Sequence, residues 1–382
     1  MLNRRQALRA ALGGAAGAIA GGWFRSLSAE PASGAFANAD AIVRQIIQQD
    51  HLAGGSMTIA HRGRVVLSRG YGLADVAAGK PVTPETRFSL ASITKAVTGV
   101  AVLKLVDDGK LALDARLVDV LADFKPPAGK RIVDPRFREI TVHHLLYHAG
   151  GFPGHLKAGQ DEGDQDDEDG SEEDGAATYR ALLVQPLEFA PGRRSKYSNA
   201  GFTVLRLVID RSAGEPYERF VRQKILEPMG IARMHLEKPG DYEKDETRRY
   251  RAGGRQPARR MVANWFATTS DLVRFVSNVA GSGGKTFLSG RMTAAMLASP
   301  PPPVAVRPNG AHVGLGWDSV RAFPRGSRFA KNGGKPGVQA WLEHMENGID
   351  WSLVYNTSPP EGKSSRRETV RRIHEIFERI RT

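Results

Sequence analysis

Residues 92–107 constrain the fold more than any other part of this 382-residue chain. Ile93, Ala96, Val97, Val100, Val102, Leu103, Leu105 and Val106 cover nearly every side of a helix that stops at Asp108-Gly109. A helix without a polar stripe has to be covered all round, so it belongs at the centre of the molecule. Gly109 suits the left-handed residue that ends such a helix. The strands available to cover it are split between the two ends of the sequence. Ser56–Gly72 reads as a β-hairpin, with Met57 and Ile59, then Val65 and Leu67, on either side of the turn His61-Arg62-Gly63. Strand patterns return only at Val313–Val320, Arg328–Gly333, Val338–Met345 and Trp351–Asn356. An amphipathic helix follows them, with Val370, Ile373, Phe377 and Ile380 inward. The segments between, at 139–146, Gly201–Ser212 and Leu272–Val279, are helical. This order predicts a fold of the α/β (α+β) class, in which one sheet is completed by both ends of the chain and a mostly helical region is inserted. The sheet part covers about 38–115 and 310–382, and the helical part about 116–309.

Composition removes several chemistries. With no cysteine there are no disulfides, thiol nucleophiles, zinc–cysteine sites or iron–sulfur clusters. The net charge of +13 raises nucleic acid or an anionic surface as a partner. The basic residues are dispersed, however, apart from clusters at Arg248–Arg260 and in the last helix, and no zinc-finger, helix-turn-helix or RNA-binding signature accompanies them. A basic protein beside an anionic cell envelope is the simpler expectation. One segment has the opposite charge: Asp161–Asp174 holds ten carboxylates and no base, and is expected to be a solvated loop, either near the mouth of the site or a plain disordered surface insertion.

Residues 1–37 read as an address. Asn3-Arg4-Arg5-Gln6-Ala7-Leu8 precedes a weakly apolar Gly/Ala-rich stretch, Ala10 to Trp23, with small-residue cleavage positions at Ala35-Phe36-Ala37 and Ala29. This is the layout of a signal peptide, and the adjacent arginines resemble the twin-arginine type. The apolar run is short for a span, which needs about 20 apolar residues. Periplasmic or otherwise exported location is expected, with the domain running from 38 to 382.

The chemistry concentrates in three short motifs. Ser92-Ile93-Thr94-Lys95 places a hydroxyl and an amine one helical turn apart on one face. A serine hydroxyl needs a neighbouring base to become a nucleophile, and a partly desolvated lysine among other cations can serve. At a helix start the serine N–H is unpaired and available to a carbonyl oxygen. Ser282-Gly283-Gly284-Lys285 has the same spacing, but its glycine-rich setting fixes nothing. Tyr197-Ser198-Asn199 is the only Tyr-x-Asn in the chain. Its phenol becomes a competent base beside two lysines, while Ser198 or Asn199 can equally cap the helix that follows. Lys331-Asn332-Gly333-Gly334 follows a strand-like run and leads into small residues, where a ligand can lie along the strand edge.

In this order the three motifs resemble the serine β-lactamase and penicillin-binding-protein superfamily, and within it the class C β-lactamase branch with its related esterases and D-amino-acid peptidases. Gly70-Tyr71-Gly72-Leu73-Ala74-Asp75, Phe88-Ser89-Leu90-Ala91, Asp107-Asp108-Gly109-Lys110-Leu111, Ile140-Thr141-Val142-His143-His144-Leu145-Leu146 and Pro186-Leu187-Glu188-Phe189-Ala190-Pro191-Gly192 extend the likeness over roughly 40–360. The resemblance implies a β-lactamase/transpeptidase-like fold with a mainly antiparallel sheet flanked by helices. It also implies Ser92 as nucleophile and Lys95 and Tyr197 as proton relay. Asn199 becomes a substrate or lysine ligand, and Lys331, Asn332 and Gly333 the substrate-binding strand. Ser92 and Gly334 supply the oxyanion donors.

Two departures bear on substrate. Asn332 stands where lactamase-type relatives usually have a hydroxyl, and Lys331 where many esterase-type relatives have histidine. The expected activity is hydrolysis of small ester, amide or β-lactam compounds through an acyl-enzyme, with esters preferred. A β-lactamase or D-alanyl peptidase acting on cell-wall-type substrates is the alternative within enzymes, and a non-catalytic envelope-binding protein the alternative outside them. No cofactor is implied. His143, His144 and His148 cluster, but without a carboxylate–histidine pattern they do not read as a metal site.

Overall fold

The computed structural model describes residues 34–153, 175–237, 242–251, 253–254, 264–358 and 365–380. The acidic segment Asp161–Asp174 and residues 1–33 of the expected address lie outside the described residues.

One sheet of eight strands dominates, in the order β3-β2-β1-β11-β10-β9-β8-β7. Its strands are β1 (Gly54–His61), β2 (Arg64–Asp75), β3 (Lys80–Pro81), β7 (His312–Gly314), β8 (Trp317–Phe323), β9 (Gly326–Lys335), β10 (Val338–His344) and β11 (Ile349–Tyr355). All neighbours pair antiparallel. The seam between the two ends of the sequence is the β1–β11 ladder, from Gly55↔Tyr355 to His61↔Ile349. A second sheet joins β4 (Phe88–Ser89), β6 (Trp265–Ala267) and β5 (His235–Leu236) in that order. Its strands of two or three residues carry no alternation that a sequence reading can detect.

The alternation of each long strand sends side chains to two different cores. On one face Leu342, Ala340 and Val354 join the helical region; on the other Trp341, Leu353, Trp351 and Tyr355 meet helices α1 (Gly34–Gln49) and α6 (Ser365–Phe377). Phe36 of α1 packs edge-on to Phe377 of α6, with ring centres 6.2 Å apart. The folded region therefore starts ahead of residue 38, where the boundary was expected. Ile373 and Phe377 are buried as expected, with Val370 and Ile380 partly buried beside them.

Helix α2 (Thr94–Asp107) is the central element. Its residues from Thr94 to Leu103, and Leu105, are buried, which is the all-round coverage that its apolar sequence demanded. It ends at Asp108 with Gly109 in the left-handed region, at φ 72°. Two further helices frame the site, α3 (Val142–Leu146) and α4 (Asn199–Ala213), while α5 (Thr269–Ala280) packs on β1, β10 and β11.

The run Val313–Val320, expected as one strand, is two. Gly316 breaks it at φ 88°, a conformation that favours glycine. A Cβ at Gly316 would lie 3.1 Å from Gly99 Cα in α2 and 3.2 Å from Lys95 O. The β7–β8 turn thus sits directly against the helix that carries Lys95.

Candidate active site

Four residues, Leu90 to Ile93, lead from strand β4 into α2. Ala91 takes φ 45°, and a 3₁₀ turn over Ala91–Ile93 runs straight into the helix. Ser92 lies in this first turn, where its N–H has no intrahelical acceptor. Lys95 follows one turn later and is buried. Ser282, the competing serine, lies in the turn beyond α5, and its neighbour Gly283 packs against Gly63 of the β1–β2 turn.

Tyr197 comes from the segment before α4. The residue is 48 % exposed, yet its hydroxyl lies 2.6 Å from Ser92 Oγ. Lys95 Nζ is 5.1 Å and Lys331 Nζ 5.5 Å from the centre of the same ring. Two ammonium groups so placed stabilise negative charge that develops on the phenol. The motifs 92–95, 197–199 and 331–334, more than a hundred residues apart in sequence, thus meet in one place. Ser198 is the N-cap of α4: its Oγ accepts from Gly201 N–H at 3.1 Å. Asn199 is the first helical residue, half-buried beside the tyrosine.

Strand β9 supplies the opposite wall. Gly333 lies against the backbone of Ser92: a Cβ there would be 2.5 Å from Leu90 O and 3.2 Å from Ser92 N. Gly333→Ala has to push the strand and the Ser92 turn apart. A displacement near 1 Å at reacting groups costs about 10²-fold in rate, so a comparable loss of Ser92 acylation is expected, measured as the rate of active-site labelling. Labelling within threefold of the unmodified protein, with the substitution verified, would mean that the contact does not hold the serine.

The N–H groups of Asn332 and Gly334 leave β9 on the same edge, since successive N–H groups alternate along a strand. Asn332 N–H donates to Asp318 Oδ2 at 3.0 Å, and β8 stops pairing with β9 at Ser319↔Ala330. The Gly334 N–H therefore points past the end of that ladder, beside the residue that touches Ser92 N. Gly334 itself is exposed.

Asn332 is a correction. It was expected on the substrate side, its amide standing in for a hydroxyl. Its register partner is Trp341, and both line an open groove of about 470 Å³ with Val370, Arg371, His374, Glu375 and Glu378. That groove lies on the α6 face, whereas Lys331 and Gly333 face the helical region. The period of two along a strand separates Asn332 from its neighbours.

The sequence shows His148 only as one of three clustered histidines. The structure makes it the mould for Tyr197. Its carbonyl accepts the N–H of Lys196 at 2.9 Å and its Nδ1 accepts the N–H of Ser198 at 3.2 Å. The imidazole lies against the tyrosine ring, with centres 4.6 Å apart and planes at 32°. Burial first, then the charges of Lys331 and Lys95, hold its pKa well below the ordinary 6.5. His144 likewise uses Nδ1 to accept Thr141 N–H, completing a capping box for α3. Among the described residues, His235, Glu243 and Glu246 also bring ligand-type atoms within 4.8 Å of one another. Arg87 already serves as their cation, bonding His235 Nδ1 at 2.7 Å and Glu243 at 2.5 Å.

A histidine whose pKa is depressed by folding stabilises the fold fully above its unfolded value near 6.5. The contribution fades as pH falls toward the folded value, because the unfolded chain then binds the extra proton. One such proton gives a slope of about 1.4 kcal/mol per pH unit. The drop in Tm between pH 7 and pH 5 is expected to be smaller in His148→Asn than in the unmodified protein, even if the variant starts lower. Parallel Tm curves would remove His148 as a source of acid lability. His61, His143 and His144, also lowered by burial, account for slope that remains.

The serine hydroxyl is thus bonded to the tyrosine hydroxyl, with two lysines near the ring and the glycine of β9 against the serine backbone. The Beta-lactamase family profile matches residues 39–376. The chain belongs to the Beta-lactamase family. Esterase EstB of Burkholderia gladioli is 36 % identical over 200 residues, which are 51 % of this chain and 50 % of that protein. Protein flp of Staphylococcus aureus (strain MRSA252) is 27 % identical over 218 residues, 57 % of this chain and 42 % of that one. The matches thus span half or less of these relatives. Among solved structures, EstCE1, described as a hydrolase with promiscuous acyltransferase activity, superposes with a TM-score of 0.72 at 21 % identity, covering 90 % of this chain and 98 % of that one. The Beta-Lactamase/D-Alanine Carboxypeptidase from Pseudomonas syringae gives 0.72 at 18 % identity, covering 90 % and 99 %. At these identities the two structures establish the fold, a β-lactamase/transpeptidase-like one.

Proposed function

We propose that this Beta-lactamase family member is a serine hydrolase that forms an acyl-enzyme on Ser92 and prefers esters. The 2.6 Å contact between Ser92 Oγ and Tyr197 OH, backed by Lys95 and Lys331, carries this reading. Ser92 Oγ attacks the substrate carbonyl while its proton passes to Tyr197, which starts as the phenolate favoured by the two neighbouring lysines and becomes the neutral phenol. The oxyanion collects hydrogen bonds from the N–H groups of Ser92 and Gly334. Collapse expels the alkoxide or amine, which takes the proton from Tyr197; water then cleaves the acyl-enzyme by the same relay. Asn199 flanks Tyr197 as a substrate or lysine ligand. Similarity to an esterase and the full burial of Lys331 favour uncharged esters over lactams and D-alanyl peptides.

We also place the protein outside the cytoplasm, exported through the twin-arginine-type address, with an anionic envelope as neighbour. Of the two cleavage positions, the one at Ala29 leaves Phe36 in its contact with Phe377.

The test is fluorophosphonate labelling followed by peptide mapping, then turnover of a p-nitrophenyl ester, a chromogenic cephalosporin and a D-alanyl peptide. Labelling of Ser92 with fastest turnover of the ester is the expected result. Faster turnover of the cephalosporin or peptide transfers the assignment to β-lactamase or D-alanyl peptidase. No labelling and no turnover leaves the non-catalytic envelope-binding reading.

A further inference from the structure

Lys331 is 0 % exposed although its side chain points toward the reacting groups. A fully buried ammonium needs a counter-charge and hydrogen bonds. Asp318 provides both: its Oδ1 lies 2.5 Å from Lys331 Nζ, and its Oδ2 accepts the Asn332 N–H at 3.0 Å. The carboxylate is thus clamped by two successive residues of β9. The clamp lies where β8 leaves the ladder, one position beyond the last pair, Ser319↔Ala330. Asp318 is held there from the other side by the tight turn at Gly316, packed on Gly99 of α2. About a third of the Asp318 side chain remains exposed.

This arrangement has a consequence for substrates. A cation at the start of β9 attracts a substrate carboxylate only while its charge is available. Here that charge is offset within the protein, and the group exposed at that spot is itself an anion.

We propose that Asp318 is the specificity-determining residue of this site: by pairing with Lys331 it closes the place where a leaving-group carboxylate would bind, and restricts the enzyme to substrates uncharged at that position. The inference rests on the serine hydrolase reading and adds the substrate class. Asp318 is not a catalytic residue: it acts by offsetting the charge of Lys331 and by its own negative charge at that spot.

The experiment uses phenyl and 3-carboxyphenyl esters of one acyl group, which differ by a single leaving-group carboxylate. Rates are corrected for alkaline hydrolysis. The unmodified protein is expected to favour the phenyl ester by about tenfold in kcat/KM, with the preference shrinking as salt is raised. Asp318→Asn keeps the size and one acceptor but removes the charge. It is expected to erase or invert the preference, mainly by lowering KM for the carboxylate ester, with KM for the phenyl ester little changed. An unmodified protein that cleaves the carboxylate ester as fast as the phenyl ester overturns the proposal, as does an Asp318→Asn variant that folds and keeps the original ratio. If Asp318→Asn does not fold, the ratio in the unmodified protein and its salt dependence decide alone. Phenyl-ester turnover and Ser92 labelling without discrimination sink only the role of Asp318. Absence of both sinks the hydrolase reading beneath it.

Discussion

Ser92→Ala is expected to reduce ester hydrolysis by several orders of magnitude, up to about 10⁶-fold in kcat, and to abolish fluorophosphonate labelling. Among the described residues, only this serine opens the buried helix, touches Tyr197 and has the glycine of β9 against its own N–H. Removing one hydroxyl from a half-exposed position leaves packing intact, so Tm is expected to stay within a few degrees. Ser282→Ala is the matched control and is expected to change neither labelling nor rate. Turnover surviving in Ser92→Ala at more than a tenth of the original rate would place the nucleophile elsewhere.

Tyr197→Phe is the second large effect. The ring's stacking on His148 and its contacts with Lys95 and Lys331 all persist; only the oxygen 2.6 Å from Ser92 Oγ is lost. A positioned acid–base group contributes about 10²–10⁴-fold, and a fall of that size in kcat is expected, with KM for the phenyl ester little altered. The residue is half-exposed, so stability is not expected to move with it. A loss below about tenfold would demote the phenol to a wall of the site and leave Lys95 as the base.

Much of this site was legible before any coordinates, for a physical reason. Ser92 and Lys95 are neighbours on one helix, and Tyr197 and Lys331 each stand at the start of a recognisable local pattern. Such chemistry is written in short spacing. The sheet was legible because β1, β2 and β8 to β11 are long enough to show alternation.

What escaped was set by contacts across space or by breaks too small to see. His148 shapes Tyr197 from fifty residues away, through a ring nitrogen and a carbonyl that no motif announces. Asp318 was hidden inside a run read as one strand, because the turn at Gly316 interrupts it without changing its composition. Asn332 was misassigned by treating three successive strand residues as one surface, although alternation already puts the middle one on the far side. The strands β4, β5 and β6 are too short for any period.

The β1–β11 seam bears on when, during its own synthesis, this protein acquires a site. Ala53 and Thr357, at the end of that seam, are joined by a hydrogen bond across 304 positions of sequence. Until β11 has emerged, β1 and β10 each lack the neighbour that pairs their inner edges. The strand that holds Lys331 against Tyr197 hangs on β10, so a nascent chain with Ser92, Lys95 and Tyr197 already made still has no assembled relay. Closure over so long a separation is slow compared with local helix and hairpin formation. The arrangement of Ser92, Tyr197 and Lys331 is therefore completed late, at the step that also seals the sheet.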